Sequence, residues 1–185
     1  MTQQLLDDAE KRMQKTREVL ERELASIRTA RASPSLVEDL PVDYYGTPTP
    51  LKQIASISAP EPRMLMIQPW DRGSIPQIER AISKSDLGLS PVADGALLRL
   101  PIPTLTQERR QDMAKLVRKR VEDDRVAVRN VRRDALDHLR KLERDKGVSQ
   151  DEERRSQDLL QKLTDRYVGE LDKLGSAKEA EVMEV

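Results

Sequence analysis

Cysteine and phenylalanine are absent from this 185-residue chain, and histidine and tryptophan each occur once. Without cysteine there can be no disulfide, thiolate nucleophile, zinc finger or iron–sulfur cluster, and a reducing compartment is the simplest setting. A single histidine, His138, argues against a histidine-rich metal site and against a Ser–His triad. We therefore expect a cytoplasmic protein that holds no metal and no cofactor.

Long apolar runs are missing as well, and so is an excess of charge of either sign. No run of about 18 apolar residues occurs, so we expect no membrane-spanning helix. The first eight residues carry acids and lack a basic segment before an apolar core, so we expect neither a signal peptide nor a transit peptide. The 33 Lys and Arg residues balance 33 Asp and Glu residues. Any contact with nucleic acid must therefore come from a local basic patch.

Proline divides the chain into three parts. All eleven prolines lie between Pro34 and Pro103. Proline removes a backbone donor and breaks a helix interior, so the two proline-free flanks predict long helices. The proline-containing middle predicts strands and turns.

Three helices are predicted in the flanks. Apolar residues seven apart predict the first, over residues 2–29; they are Leu6, Met13, Leu20 and Ile27. The second begins after an N-cap at Thr106 and runs to about Lys146, with Gly147 at the C′ position. A capping box, Ser149-Gln-Asp-Glu152, starts the third, which reaches the C-terminus. Each helix carries one apolar stripe and cannot bury it alone, which predicts a three-helix bundle of residues 1–29 and 106–185.

The middle, residues 30–105, predicts a small inserted domain, so that the fold class is α+β. Strands are expected at 40–45, 52–59, 63–68 and 96–102. A second capping box, Ser74-Ile-Pro-Gln77, is expected to open a helix that ends near Lys84. The chain crosses between the domains twice, near 29–33 and 102–106, and two such crossings predict a hinge.

No catalytic motif is present. The sequence has no glycine-rich phosphate loop, no G-x-S-x-G and no H-E-x-x-H. The acid pairs Asp123-Asp124 and Glu152-Glu153, and His138, occur among Lys and Arg on predicted helices. We interpret them as solvent-exposed faces and predict that the protein is not an enzyme.

One local feature is basic. Residues 115–133 contain eight Lys or Arg and three acids. On a helix of 3.6 residues per turn, six arginines share a stripe about 100° wide; they are Arg118, Arg125, Arg129, Arg132, Arg133 and Arg140. The planar guanidinium fork suits phosphate, so we expect these groups to be left unneutralised within the molecule and to bind RNA. The alternative is a face neutralised by acids of a neighbouring helix. Asn130 could hydrogen-bond RNA or the bundle backbone.

Seven strings, in order, resemble the bacterial ribosome recycling factor family over the whole chain. They are R-T-A-R-A-S-P-S-L (28–36), Y-Y-G-T-P-T-P-L (44–51), P-W-D (69–71), S-D-L-G-L-S-P (85–91), L-T-Q-E-R-R (105–110), V-A-V-R-N-V-R-R-D (126–134) and Q-K-L-T-D (161–165). The resemblance implies an L-shaped molecule, with a long three-helix bundle and a β/α/β domain on a flexible double linker.

The resemblance also implies a function. The family binds the ribosome after termination and, with elongation factor G and GTP, separates the subunits. Its contacts to large-subunit ribosomal RNA match Arg129, Arg132 and Arg133. The implied hinge comprises two short segments, Thr29, Ala30 and Arg31, and Pro103, Thr104 and Leu105.

Two departures and one alternative accompany this interpretation. The family usually has glycine where this chain has Ala30, so the hinge either avoids a positive φ or is stiffer. The family more often has Glu at the position that Gly147 occupies in this chain.

A non-enzymatic helical scaffold that binds protein partners is the alternative function. We expect a monomer, because the three apolar stripes are used within one chain. The sequence leaves open whether Arg28 and Arg31 touch RNA.

Overall fold

A computed structural model describes residues 1–184, which fall into two compact units. The first comprises residues 1–24 and 114–180, and the second residues 25–113 and 181–184. The α-helices are α1 (Thr2–Ala25), α2 (Ile75–Lys84), α3 (Gln107–Arg144) and α4 (Gln150–Met183). Domain boundaries at 29/30 and 105/106 stay a prediction.

The first unit is a three-helix bundle built from α1 and most of α3 and α4. With 38 residues, α3 is roughly 57 Å long at about 1.5 Å per residue. Each helix buries one stripe. The buried apolar residues are Leu6, Ala9, Met13, Leu20 and Leu24 of α1, Ala114, Val117, Val121, Val128, Val131, Ala135 and Leu139 of α3, and Leu160, Tyr167 and Leu171 of α4. The predicted bundle is thus confirmed, and its core follows the helical period that the sequence displays.

A glycine allows α3 and α4 to approach each other closely. A Cβ placed on Gly175 of α4 would lie 2.6 Å from Cγ2 of Val121 on α3. Val121 is only 4% exposed. Any side chain at residue 175 would therefore force the two helices apart or displace the valine.

The helix ends confirm two predicted caps and correct a third detail. Thr106 Oγ1 accepts the Arg109 N–H at 3.2 Å, and Ser149 Oγ accepts the Glu152 N–H at 3.2 Å. At the end of α3, however, the left-handed residue is Lys146, with φ 57°. Gly147 is one residue further on and donates to Leu142 O at 2.9 Å. These bonds form a Schellman motif in which the prediction of Gly147 at C′ is wrong by one residue.

The second unit is an antiparallel α+β structure. A two-stranded sheet joins β1 (Pro41–Tyr44) and β2 (Thr47–Pro50). A four-stranded sheet has the order β3-β4-β6-β5, from β3 (Ala55–Glu61), β4 (Met64–Pro69), β5 (Val92–Asp94) and β6 (Leu97–Pro101). Alternate residues of β4 and β6 join those of α2 in one core. Its fully buried members include Val37, Val42, Leu51, Leu65, Ile67, Ile78, Ile82, Leu98 and Leu100.

Several local predictions for this unit are wrong. Residues 47–50 lie between the strands predicted at 40–45 and 52–59, yet they form a strand that pairs with β1, in a sheet of only two strands where proline is tolerated. The short strand β5 was not predicted. Ser74 does not cap α2 with its side chain; its Oγ donates to Asp71 O at 2.6 Å. Asp71 instead caps the preceding 3-10 turn by accepting the Gly73 N–H.

The first linker begins earlier than the sequence indicates. α1 ends at Ala25 rather than at Thr29. Ile27, the last residue of the predicted heptad series, is buried within the second unit. Its apolar character reflects burial in irregular backbone, which the seven-residue spacing alone cannot distinguish from a helix.

Candidate nucleic-acid interface

The six predicted arginines all lie on α3, within the first unit, but their surroundings differ. They form three groups according to the carboxylates near them. Arg118 and Arg125 are paired with α4, Arg129 and Arg140 have distant partners on α3 itself, and Arg132 and Arg133 have none among the described residues.

Arg118 and Arg125 are neutralised. Arg118 Nε lies 2.5 Å from Glu179 Oε1, and Arg125 Nε donates to Asp172 Oδ1 at 2.7 Å. Glu122 also accepts from Arg125 Nη1 at 2.7 Å. The hydrogen bond to Glu122 raises the pKa of Arg125 above its usual value, and the hydrogen bond to Asp172 contributes the next largest part of the rise. For these two arginines the expectation of an unneutralised stripe is wrong, because folding brings acids of α4 against them.

The guanidinium groups of Arg129 and Arg140 are only weakly paired and remain accessible to an anion. Arg129 Nη1 lies 3.8 Å from Glu122 Oε1, and Arg140 Nη1 lies 3.7 Å from Asp137 Oδ1. The two arginine side chains are 59% and 61% exposed. Exposed pairs at such distances contribute about 0–1 kcal/mol, so an incoming phosphate displaces them at little cost.

Arg132 and Arg133 make no ion pair or hydrogen bond with any described residue. Arg133 is exposed and Arg132 half-buried. The adjacent acid, Asp134, is engaged elsewhere, since its Oδ2 accepts from Arg12 Nη2 of α1 at 3.0 Å. The Asn130 side chain is exposed and forms no hydrogen bond with the bundle backbone within the described chain. This short stretch of α3 therefore presents unpaired donors to solvent.

Two of the predicted solvent-exposed acids, Asp124 and Glu153, are half-buried instead. Asp124 is half-buried, and its Oδ2 is enclosed without a hydrogen-bond partner among the described residues. Burial raises the pKa of the Asp124 carboxyl, and the charges of Glu23 and Asp123 raise it further. Asp123, His138 and Glu152 are exposed, as predicted.

The predicted hinge residues lie in segments without helix or strand. Thr29 is buried; its Oγ1 accepts the Arg31 N–H at 3.2 Å and donates to Glu181 Oε1 at 3.2 Å. Arg31 Nη2 lies 2.7 Å from Glu184 Oε2. Pro103 and Thr104 are exposed, and Leu105 is half-buried. Contacts assign both segments to the second unit.

Comparison with known proteins identifies the family. The family model described as "Ribosome recycling factor" matches residues 20–183. Ribosome-recycling factors of Roseiflexus castenholzii and Carboxydothermus hydrogenoformans are 56% and 53% identical to this chain, each over 100% of both chains. The chain belongs to the ribosome recycling factor family.

Solved structures of the family have the same fold. A solution structure of the ribosome recycling factor has a TM-score of 0.79 and 44% identity, covering 100% of this chain and 98% of that one. A second match, with a TM-score of 0.71 and 45% identity over 100% of both chains, comes from models of the T. thermophilus ribosome recycling factor and the E. coli elongation factor G bound to the E. coli post-termination complex.

Ala30, in the first segment of the predicted hinge, occupies a position where glycine is expected from the family resemblance. In this recycling-factor chain the described non-glycine residues with positive φ are Tyr45 and Lys146, so Ala30 adopts an ordinary backbone conformation. Alanine therefore fits there without strain.

Among residues 1–184 no cluster of three metal-ligating side chains occurs, and no helix has the length and apolar character needed to cross a bilayer.

Proposed function

We propose that this chain binds the post-termination ribosome and, together with elongation factor G and GTP, separates the subunits so that ribosomes re-enter translation. Membership of the ribosome recycling factor family supports this function. So does the similarity to the T. thermophilus factor that is placed, with elongation factor G, on a post-termination complex. GTP hydrolysis belongs to the elongation factor, and this chain contributes binding and mechanical transmission.

Arg129, Arg132 and Arg133 are the proposed main contacts to large-subunit ribosomal RNA. The observation that carries this assignment is that Arg132 and Arg133 have no carboxylate partner among the described residues, while Asp134 is held by Arg12. Arginine forks without an internal partner bind phosphate oxygens with charge-assisted hydrogen bonds. All three lie on α3 within the helix bundle, so one helix carries these donors in a row.

The remaining arginines of the stripe contribute less. Arg140 can leave its distant partner at little cost. To bind phosphate, Arg118 would have to leave Glu179 and Arg125 would have to leave Asp172. The gain in binding free energy is then only the difference between the new ion pair with phosphate and the ion pair that is broken.

Movement of the two units about the linkers is the second part of the proposal. Residues 26–33 and 102–106 contain no helix or strand, which supports bending there. Two chain segments share the bend, at Thr29, Ala30 and Arg31 and at Pro103, Thr104 and Leu105. Residual dipolar couplings measured in solution would test it, and a single fixed orientation of the two units would contradict it.

The RNA contact is tested with Arg132→Ala in equilibrium binding to ribosomes over a series of salt concentrations. Losing one charge-assisted phosphate contact should weaken binding about tenfold. The slope of log affinity against log salt should fall by about 0.7–0.9. Arg99→Ala is the control, because Arg99 is an exposed arginine that Asp94 already pairs at 3.0 Å.

Subunit splitting with elongation factor G and GTP provides the functional measurement. Arg132→Ala should require a higher concentration of factor for the same splitting rate, whereas Arg99→Ala should match the parent. An unchanged affinity and slope for Arg132→Ala would remove Arg132 from the interface. Failure of the parent protein to split ribosomes with a cognate elongation factor would refute the proposed function itself.

A further inference from the structure

A groove of about 410 Å³ runs between α1 and α4 within the first unit. The two helices are parallel, because Thr2 contacts Glu152 at 3.0 Å and, further along both helices, Glu10 pairs with Arg166. The groove lies between these two contacts. At about 1.5 Å per residue, Thr2 and Glu10 are about 12 Å apart along the axis of α1. The groove is therefore about two helical turns long.

The floor of the groove is apolar and includes an exposed leucine. Leu6 of α1 is 8% exposed and Leu163 of α4 is half-buried, so both belong to the margin of the bundle core. Leu159 of α4 lines the same groove, yet 52% of it is exposed. A single exposed leucine is ordinary on a protein surface. The charges beside it must therefore indicate whether the groove has an occupant and which one.

Opposite charges line the two sides of the groove without pairing. Asp7 of α1 accepts a hydrogen bond from Gln3 at 2.8 Å, and it forms no ion pair within residues 1–184. Lys162 of α4 is exposed and has neither an ion pair nor a hydrogen bond in the part of the chain that the structure describes. Its neighbour Asp165 accepts instead from Gln161 at 2.8 Å. One rim thus offers an acid and the other a base.

We propose that this groove is a docking site for an amphipathic α-helix of a protein partner, with basic side chains on the flank near Asp7 and acidic side chains on the flank near Lys162. Apolar residues at i, i+3 or i+4, and i+7 of a helix extend over about 10 Å, which matches the length of the groove. Such a helix would cover Leu159 and pack on α1 and α4 as a fourth helix packs in a bundle.

The charges favour a protein helix over two other occupants. A nucleic-acid backbone would meet the carboxylates of Asp7 and Glu10 on one rim, and Glu10 already neutralises Arg166 on the other. A second copy of this chain could set Asp7 against Lys162 about a two-fold axis parallel to the helices. A stable homodimer, however, buries about 1,200 Å² or more, and a groove two turns long supplies only a small part of that area.

The flanking charges are tested with three stapled helical peptides of about 14 residues that share one leucine face. The flanks carry Lys on one side and Glu on the other, Lys on both sides, or Glu on both sides. In fluorescence anisotropy at low salt, the full chain should bind the mixed peptide about two- to fivefold tighter than the other two, each of which brings a like charge to one rim. Lys162→Glu makes both rims acidic and should transfer the preference to the Lys peptide. Lys119→Glu, at an exposed lysine of α3, should leave the preference unchanged.

The apolar floor is tested with Leu159→Gln, which should weaken binding of the mixed peptide about fivefold. Leu116→Gln is the control, because Leu116 is also exposed, at 37%, but lies on α3. Since Leu159 is largely exposed, urea unfolding of Leu159→Gln should match that of the parent, which separates docking from a structural role. Equal affinity for the three peptides, or unweakened binding by Leu159→Gln, would overturn the proposal. A dimer of the parent in sedimentation equilibrium that Leu159→Gln dissociates would also overturn it, because the occupant would then be a second copy.

A photo-cross-linking amino acid at residue 159 tests the groove on post-termination ribosomes with elongation factor G, and this arm alone rests on the proposed function. A covalent adduct with a protein supports the docking site. An adduct with ribosomal RNA only, or no adduct, contradicts it. Subunit splitting is measured in parallel. Splitting without a protein adduct would refute the docking site and leave the proposed function standing. If the parent chain does not split ribosomes, the proposed function fails, and the peptide preferences alone decide on the docking site.

Discussion

Replacing Gly175 by alanine should destabilise the helix bundle, although alanine is the better helix former. The new Cβ would lie 2.6 Å from Val121 Cγ2, and 3.6 Å from both Cβ and Cγ1 of the same valine. Carbon atoms in good contact are about 3.5–4.0 Å apart, so the first distance is about 1 Å too short. Val121 cannot swing aside easily, because a valine in a helix strongly prefers one χ1 rotamer.

The size of the effect follows from two opposing contributions. Inserting a methyl group into a packed interface costs about 1–3 kcal/mol. Replacing glycine by alanine inside a helix returns about 1 kcal/mol. We therefore expect a net loss of about 1 kcal/mol, and at most about 2, in the free energy of unfolding. At this chain length that lowers Tm by about 2–4 °C for each kcal/mol.

A double-mutant cycle makes the reasoning specific to the Gly175–Val121 contact. Val121→Ala removes both Cγ atoms, so in that background Gly175→Ala should stabilise the bundle by about 1 kcal/mol through helix propensity. The four proteins are unfolded with urea and followed by far-UV circular dichroism. Fluorescence of Trp70, the single tryptophan, monitors the second unit separately. An effect of Gly175→Ala with the same sign and size in both backgrounds would refute the argument.

Three further changes test the local chemistry. Lys146→Gly should raise the free energy of unfolding by about 1 kcal/mol, because residue 146 has a left-handed backbone that lysine adopts at a cost; urea unfolding measures it, and a loss of stability would contradict the Schellman assignment. Asp124→Asn should stabilise the chain at neutral pH. Since the folded pKa of Asp124 lies above the unfolded one, its carboxylate destabilises the fold above the folded pKa, and this disappears as the pH falls below the unfolded value; a gain that persists at low pH would point to packing instead. Tyr45→Phe should raise the pKa of Asp71, which the Tyr45 hydroxyl at 2.6 Å and then the Gly73 N–H hold below its usual value; an NMR titration of Asp71 measures this, and an unchanged pKa would show that the hydrogen bond does not persist in solution.

Prediction from the sequence succeeded where local physics decides. The proline-free flanks form helices, and the caps at Thr106 and Ser149 are in place, because an N-cap is a contact between residues three apart. It failed at Ser74, whose pattern S-I-P-Q satisfies the same rule. There Asp71 caps a competing 3-10 turn, and the Ser74 hydroxyl donates to the backbone carbonyl of Asp71 instead of capping α2.

The candidate site divides in the same way. The arginine stripe of α3 is a property of helical periodicity, and sequence alone placed its six members on one face. Which of them remain free is decided by residues far away in the sequence: Glu179 and Asp172 of α4 neutralise Arg118 and Arg125, while Arg12 of α1 draws Asp134 away from Arg133. The order of charges along a helix is local information, but neutralisation depends on which helix packs beside it.

Composition and periodicity therefore determined the class of this protein: helices at both ends, an α+β segment between them, and a row of six arginines on the second long helix. Tertiary structure alone decided the close approach of α3 and α4 at Gly175, and the pairing of Arg118 and Arg125 with Glu179 and Asp172. These features depend on distances between segments that are remote in the chain. Hydrophobic patterning specifies which face is buried, whereas packing and charge pairing arise only once particular partners meet.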